Sequence, residues 1–201
     1  IQDIDISSDG LLVSAYAYMI NGSNALPVSY DFKGKRYTVF LDFTEQIGSA
    51  FQESVKISAQ KKRFFLSLRE PDLLLSVDYA IYKDGTFIVT DYRLTSLHRY
   101  PSRLYLGYSE SVKREMLFVS LIDEDRIFVY DSENLVFLAE ITEGLDGPYA
   151  MKLISIDGDD YLFTANFENS TVSVHKFIPN ENRFEYIMSI GKPRPKEKGE
   201  Y

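Results

Sequence analysis

Two strand-like segments joined by a short polar turn recur along this chain, and the repeat constrains the fold more than any other feature. The clearest copy is Tyr161-Leu-Phe-Thr-Ala-Asn-Phe-Glu-Asn-Ser-Thr-Val-Ser-Val-His-Lys-Phe177. Its Phe163 has counterparts in earlier copies at Phe65, Phe118 and, more loosely, Leu12. The steps from position 12 to 65, 118 and 163 are 53, 53 and 45 residues. A period of this size indicates supersecondary units that stack on one another.

Each repeat contains four short segments of strand character separated by turn residues. Asp9-Gly10 and Asp84-Gly85 are typical of tight hairpin turns, because glycine accepts the positive φ that such turns need. No stretch of ten or more residues has helical spacing, which excludes a parallel sheet joined by crossover helices. Leu73-Leu-Leu75 and Leu117-Phe-Val119 are apolar on both sides of the pleat, as sheets stacked face to face require.

These patterns predict an all-β fold, a β-propeller built of four-stranded antiparallel blades. The blades are expected at about 1–50, 51–101, 102–147 and 148–191, followed by a tail or linker at 192–201. The chain starts on an innermost strand and stops after an outermost one, so no strand is left to close a ring. We therefore expect a segment of a larger propeller, with a self-contained four-bladed ring as the alternative.

Composition limits the partners. The net charge of −8 argues against nucleic acid, whose phosphates require clustered Lys and Arg. The short basic run Lys61-Lys-Arg63 is interpreted as a solvated turn between two strands.

Without cysteine there is no disulfide, thiolate metal site or cysteine nucleophile, and no apolar run is long enough to span a membrane. The chain lacks an initiator Met, so a leader or larger N-terminal part is expected to have been removed.

Residues 104–190 carry a family resemblance. Tyr161-Leu-Phe-Thr-Ala-Asn-Phe167, followed by Asn169-Ser-Thr-Val-Ser-Val174, resembles the repeat of the β-propeller superfamily that includes the YVTN-repeat proteins and the lactonase-type propellers. In that repeat a strand reading approximately Tyr-Val-x-Asn is followed by a turn and then by Thr-Val-Ser-Val. Leu117–Asp131 is a looser copy, and Gly144-Leu-Asp-Gly-Pro148 is similar to the turn into the next blade. The first two repeats depart from the pattern in their Asn and turn positions.

The resemblance implies a ring of six to eight blades and a binding face at one end. It places on that face the turns between second and third strands and the connections between blades. The ligand or partner residues expected there are Arg69, Glu70, His98, Arg99, Asp123, Glu124, Asp125, Glu143, Asp146, Glu168 and Asn169. Four tyrosines near loop ends could stack on a sugar or peptide: Tyr16, Tyr18, Tyr100 and Tyr149.

No cofactor is predicted, with a divalent cation as the alternative. Carboxylates on this face could supply the oxygen ligands that hard cations take, and Asp123, Asp125 and Glu168 are the candidates. Glu70 and Asn169 could add to them. However, acidic turns are commonly just solvated, and the Asp-x-Asp-x-Asp-Gly spacing of a calcium loop is absent.

Catalytic residues are not assigned. His98 lies in a connection and suits an exposed recognition residue, whereas His175 lies in a strand and is expected to pack between blades or hydrogen-bond a neighbour. No Gly-x-Ser-x-Gly elbow, local triad or phosphate-binding glycine loop is present.

The sequence favours a non-enzymatic module that presents a loop face to a protein or small ligand, in an exported bacterial protein, periplasmic or secreted. A lactonase-like hydrolase with a metal in the central channel is the alternative. A third hypothesis is a subunit whose remaining blades come from the rest of the chain or from another chain.

Overall fold

A computed structural model describes residues 2–15, 25–48, 50–97 and 100–193. The chain divides into two compact units, unit 1 (Ile1–Leu104) and unit 2 (Tyr105–Tyr201). The described strands form four four-stranded antiparallel sheets, in which strands consecutive in sequence are hydrogen-bonded neighbours. This arrangement confirms the predicted all-β architecture of four-stranded blades.

Unit 1 contains the first two blades. Blade 1 consists of β1 (Asp3–Ile6), β2 (Leu12–Ala15), β3 (Ala25–Phe32) and β4 (Lys35–Asp42). Blade 2 consists of β5 (Phe51–Ile57), β6 (Arg63–Arg69), β7 (Leu73–Ile81) and β8 (Phe87–Ser96). Between the two blades lies one helical turn, α1 (Thr44–Ile47), too short to show helical periodicity in the sequence.

Unit 2 contains most of blade 3, whose first strand begins in the last residues of unit 1, and all of blade 4. Blade 3 consists of β9 (Pro101–Ser109), β10 (Arg114–Leu121), β11 (Arg126–Asp131) and β12 (Phe137–Ile141). Blade 4 consists of β13 (Pro148–Ile156), β14 (Asp159–Asn166), β15 (Thr171–Ile178) and β16 (Arg183–Ile190). Two 3-10 turns, Ile122–Glu124 and Pro179–Glu181, join strands within these blades.

Apolar side chains from facing sheets form the core of each unit. In unit 1, Val13 and Val28 of blade 1 pack in one cluster with Val55, Phe64 and Leu66 of blade 2. The residues from Arg63 to Leu68 are all buried, so β6 is covered on both sides of its pleat. This is the two-sided burial that the apolar runs predicted.

The core of unit 2 is built in the same way. Phe118 and Val129 of blade 3 share a cluster with Leu162 and Phe184 of blade 4. The rings of Phe118 and Phe184 meet edge to face with centroids 5.7 Å apart, a favoured aromatic geometry. Phe118, one of the repeated positions in the sequence, is fully buried.

Carboxylates of Asp3 and Asp160 join the blades near their first strands. Asp3 accepts hydrogen bonds from Ser54 Oγ (2.6 Å), Val55 N (3.1 Å) and Lys56 Nζ (3.0 Å). Burial alone would raise the pKa of Asp3, but the hydrogen bonds from Ser54 and Lys56 and the positive charge of Lys56 lower it. In this way a side chain of blade 1 satisfies an N–H on the unpaired edge of blade 2.

In unit 2 a comparable role falls to Asp160. Its carboxylate is buried and accepts hydrogen bonds from Ser109 Oγ (2.5 Å), Ser111 Oγ (2.6 Å) and Ser155 Oγ. Burial raises the pKa of Asp160, and these hydroxyl donors more than offset that effect, so the pKa lies below its ordinary value. The carboxylate ties the β9–β10 turn of blade 3 to the first hairpin of blade 4.

Truncation of the repeated phenylalanine should test the packing of unit 2. Phe118→Ala is expected to lower the free energy of unfolding by about 3–5 kcal/mol, because it removes a fully buried ring and leaves a cavity. Phe167→Ala is the matched control, since this ring is 70% exposed, and its effect should stay within about 0.5 kcal/mol. Urea unfolding of both variants measures the difference; equal losses would contradict the assigned packing.

Candidate ligand-binding face

One end of each blade carries the turn between the second and third strands together with the connection to a neighbouring blade. We call it the connection end. In unit 2 it consists of three segments, the β10–β11 turn at 122–125, the β12–β13 connection at 142–147 and the β14–β15 turn at 167–170. Antiparallel pairing brings strand ends and starts together here, so residues distant in sequence become neighbours.

The 142–147 connection is fixed to blade 4 by the side chain of Asn166. Its Nδ2 donates to Gly144 O (3.1 Å), and its Oδ1 accepts from Asp146 N (3.2 Å). Ser173 Oγ donates to the same Gly144 carbonyl. Both side chains are buried, so the backbone groups of the connection are satisfied by the blade rather than by water.

His175 makes a further attachment. Its Nε2 donates to Glu143 O (2.8 Å), which assigns the proton of the neutral imidazole to Nε2. The ring is fully buried, and burial lowers the pKa of His175 below its ordinary value of 6.5, although the Glu143 carbonyl and carboxylate act in the opposite direction. Within the described residues, neither Nδ1 of His175 nor Oγ1 of Thr164 has a hydrogen-bond partner. The interpretation of His175 as a strand residue that hydrogen-bonds a neighbour is therefore confirmed.

Two glycines permit the close approach of the connection. Gly144 has φ +71°, and a Cβ there would lie 2.3 Å from the ring of Tyr186. Gly147 has φ +63°, and a Cβ there would lie 2.8 Å from Cγ of Glu168. Both positions need a residue without a side chain, because the backbone conformation and the available space each disfavour one.

Asp125 and Phe167 complete the link between the three segments. Gly147 N donates to Asp125 Oδ1 (2.6 Å), and Phe167 N donates to Gly147 O (2.8 Å). Asp125 itself is in the left-handed region with φ 52°. The β10–β11 turn, the connection and the β14–β15 turn therefore form one hydrogen-bonded platform.

The acidic residues that were expected on this face and belong to unit 2 lie on or beside the platform. Asp123 and Glu143 are exposed, Glu124 pairs with Arg126 (3.5 Å), and Asn169 accepts from Thr171 Oγ1 (2.6 Å). The backbone N–H of Glu168 donates to Asp146 O (3.3 Å). In the described part of the chain, no three His, Cys, Asp or Glu side chains are grouped as a metal ion would require. The cation site at Asp123, Asp125 and Glu168 stays a prediction.

An exposed aromatic pair stands on the platform. The rings of Tyr149 and Phe167 have centroids 5.9 Å apart, and their residues are 37% and 70% exposed. The sequence singled out Tyr149 but not Phe167, which looked like the last residue of an apolar strand. Its position directly after Asn166, at the start of the turn, is the signal that could have identified it.

The connection end of unit 1 holds a different group around Arg69. The guanidinium lies over the rings of Phe51 (5.0 Å) and Tyr100 (4.6 Å) and donates to the Tyr100 hydroxyl. Its Nε lies 3.3 Å from the carboxylate of Glu53, which is buried, without the alignment of a hydrogen bond. Glu70 follows in the left-handed region with φ 56°. These partners hold Arg69 in one orientation, and no sequence pattern indicated Glu53 or Phe51.

Four residues from the sequence-based predictions lie outside the described residues: His98, Arg99, Tyr16 and Tyr18.

The opposite end of unit 1 contains a cleft of about 390 Å³ between the β1–β2 and β5–β6 turns. Lys62 forms an ion pair with Asp9 there, and its Nζ lies 5.8 Å from the ring centroid of Tyr79. Lys61 and Lys62 are exposed, as the solvated-turn interpretation expected, but Arg63 is buried. That part of the prediction is wrong, because Arg63 is the first residue of β6 and its Nη2 donates to Asp78 across the strand pair (2.7 Å).

Comparison with known proteins identifies the fold. No protein-family model and no curated protein matches the chain. A putative 6-phosphogluconolactonase from Bacteroides uniformis is similar in structure, with a TM-score of 0.67 and 15% identity over 96% of this chain and 55% of its own. The periplasmic gluconolactonase PpgL of Pseudomonas aeruginosa gives 0.63 and 15% over 97% and 58%. The dihydro-heme d1 dehydrogenase NirN in complex with DHE gives 0.66 and 16% over 94% and 37%.

At these identities the likeness shows the fold alone, and it confirms that the four blades are those of a β-propeller. This chain spans between 37% and 58% of the length of the three structures. Among the described residues, none of the helices is long and apolar enough to cross a membrane.

Acidification should destabilise the protein through His175. The imidazole of the unfolded chain binds a proton near pH 6.5, whereas the buried ring resists protonation. The contribution of His175 to the free energy of unfolding is therefore fully present above pH 6.5 and is lost as the pH falls below it. His175→Gln keeps an amide donor without a titrating group and should flatten the unfolding free energy between pH 6.5 and pH 5.

The pH range in which His175 affects stability is separate from the range in which the carboxylates do. Asp3 and Asp160 have lowered pKa values, so their stabilisation is lost only as the pH falls below their ordinary value of 3.8. Urea unfolding at a series of pH values measures both effects. An unchanged pH dependence in the His175→Gln variant would contradict the role given to this ring.

Proposed function

We propose that this chain is a non-enzymatic β-propeller module that binds a partner protein or small ligand on the connection end of unit 2. The observation that carries the proposal is the aromatic pair Tyr149 and Phe167, which is exposed although the backbone beneath it is tied down by Asn166, Ser173 and His175. A large apolar surface on a rigid support loses little conformational entropy on binding, which favours recognition. Aromatic residues are also frequent among those that dominate binding energy.

The charge around this pair indicates the chemistry of the partner. The three segments of the platform contain no Lys or Arg. They carry six acidic residues: Asp123, Glu124, Asp125, Glu143, Asp146 and Glu168. A segment with Lys or Arg beside an apolar residue would complement both the carboxylates and the ring faces.

We further propose membership of the YVTN-repeat and lactonase-type superfamily and an extracytoplasmic location. The role of Asn166 supports the first point, because an amide at the end of the second strand is what fixes the connection, and the Asn of the repeat occupies that end. The second point is supported by the structural likeness to a gluconolactonase described as periplasmic.

Selection from a displayed random-peptide library against the immobilised chain tests the binding function. Enriched peptides are expected to contain Lys or Arg together with an apolar residue. Tyr149→Ala and Phe167→Ala should each weaken the binding of a selected peptide by about tenfold or more. Tyr82→Ala is the control, because this ring is 53% exposed but lies at the opposite end of its blade. Equal binding of the selected peptide by all variants, or a selection without enrichment of basic peptides, would contradict the proposed binding face.

A lactonase-like hydrolase is the second candidate, favoured by the two lactonase-named structures that share the fold. The module hypothesis predicts that the chain does not accelerate hydrolysis of glucono-δ-lactone, with or without added Ca²⁺, Mg²⁺ or Zn²⁺. Titration of the released acid measures the rate. Metal-dependent turnover that disappears in Asp123→Asn or Glu168→Gln would establish the hydrolase and the predicted cation site instead.

A further inference from the structure

The cleft of about 390 Å³ in unit 1 lies at the end of the blades opposite the connection end. One wall is the end of β1 with the β1–β2 turn, at residues 5–9, and the other is the end of β5 with the β5–β6 turn, at residues 57–62. Its volume falls in the range of small-molecule binding sites. Both walls belong to unit 1, and no residue of the proposed ligand face of unit 2 takes part.

The two walls are joined by polar contacts that set the shape of the cleft. Ile57 N donates to Asp5 Oδ2 (2.7 Å), which links the ends of β1 and β5. The ion pair of Lys62 with Asp9 links the two turns beyond them. Ser7 Oγ donates to the same Asp9 carboxylate and so fixes its orientation. The protein therefore organises the cleft without the help of a ligand.

Tyr79 reaches the cleft from β7. Its ring is stacked on Phe87 with centroids 5.4 Å apart, and the residue is only 4% exposed. Its backbone N–H donates to Lys62 O (2.9 Å), which fixes Tyr79 beside the β5–β6 turn. Among the described residues the Tyr79 hydroxyl makes no hydrogen bond, yet its oxygen is not sealed off from the cleft. A phenol buried to this extent normally has a hydrogen-bond partner, so this one is positioned for an acceptor on a ligand.

The protonation states of two neighbouring groups in the cleft are opposite. Burial and, to a smaller extent, the negative charge of Asp9 raise the pKa of Tyr79, so its hydroxyl remains a donor. The hydrogen bond from Lys62 lowers the pKa of Asp9, so its carboxylate remains an acceptor. A ligand in the cleft thus meets a hydrogen-bond donor and a hydrogen-bond acceptor side by side.

The formal charges lining the cleft cancel, because Asp5 and Asp9 are matched by Lys61 and Lys62. A charged ligand would have to compete with the ion pair between Lys62 and Asp9. Hydroxyl groups do not, since they donate to a carboxylate and accept from an ammonium group while the pair stays together. The exposed Gln60 adds an amide, which is also both donor and acceptor.

We propose that this cleft binds a neutral saccharide unit. One hydroxyl of the sugar accepts from the Tyr79 hydroxyl, and its neighbours donate to Asp9 and accept from the ammonium group of Lys62. Vicinal hydroxyls are suited to a donor and an acceptor placed side by side, because each hydroxyl can act in both roles. The site does not depend on the proposed partner-binding face, which lies at the other end of the blades in unit 2.

Saturation-transfer NMR of the full chain with neutral methyl pyranosides tests for binding, with the glucoside, galactoside, mannoside and N-acetylglucosaminide as probes. Calorimetric titration of the strongest of these gives its dissociation constant. Tyr79→Phe should raise that constant at least about tenfold, because it removes the hydroxyl and keeps the ring on Phe87. Tyr130→Phe is the matched control, since this ring is 6% exposed and lies outside the cleft, and its variant should bind like the wild type.

Stability without sugar separates recognition from a structural role of the hydroxyl. Tyr79→Phe should unfold at the same urea concentration as the wild type or at a higher one, because the hydroxyl that it removes has no partner among the described residues. Asp9→Asn is a second variant at an exposed position and should also weaken the glycoside at least about tenfold. Circular dichroism establishes that both variants are folded.

Charged sugars test the argument from charge. The methyl uronide and the 2-amino sugar with the same ring should both bind more weakly than the neutral glycoside. An oligosaccharide that ends in the same unit distinguishes the end of a glycan, which should bind more tightly than the methyl glycoside, from a free sugar, which should not. No binding of any neutral glycoside, unchanged binding by Tyr79→Phe, or tighter binding of a charged sugar would overturn the inference. Loss of peptide binding by Phe167→Ala with unchanged sugar binding would support two independent sites.

Discussion

The structure depends on the burial of sheet faces against one another. Each blade has only four short strands and cannot enclose a core by itself, so its apolar side chains must meet those of a neighbouring sheet. Val13 and Val28 meet Val55 and Leu66 in unit 1, and Phe118 and Val129 meet Leu162 and Phe184 in unit 2. The same requirement explains why β6 is buried on both sides of its pleat.

The candidate binding face depends on polar side chains that are buried in one of these mainly apolar sheet faces. The face of blade 4 that packs against blade 3 carries Asn166, Ser173 and His175 among its apolar residues, and all three are buried. Burial of such groups is unfavourable unless they find hydrogen-bond partners, and the backbone of the 142–147 connection supplies most of these. Fixing the connection and satisfying the buried side chains are one arrangement, and the exposed rings of Tyr149 and Phe167 are positioned by it.

Several features followed from sequence because their causes are local. Asp84-Gly85 predicted a hairpin, and Gly85 has the positive φ that the turn needs; a Cβ at this position would also lie only 2.9 Å from the ring of Phe32. The recurrence of Phe65, Phe118 and Phe163 predicted the blades, since each lies in the second strand of its sheet. His175 was expected to bond a neighbour from within a strand, and it does. The choice of Glu143 O as its acceptor could not be predicted, because that carbonyl lies 32 residues away in the connection between blades 3 and 4.

By itself, the sequence determined that the chain is a succession of four-stranded antiparallel sheets, because alternation, turn glycines and the repeat length act over a few residues or recur at a fixed interval. Only the tertiary structure decided that Arg69 lies between Phe51 and Tyr100, that Arg63 is buried against Asp78, and that Asp125 holds Gly147. These contacts join segments whose separation in sequence carries no signal. Their partners are selected by the register of strands and the stacking of sheets, which are properties of the folded chain as a whole.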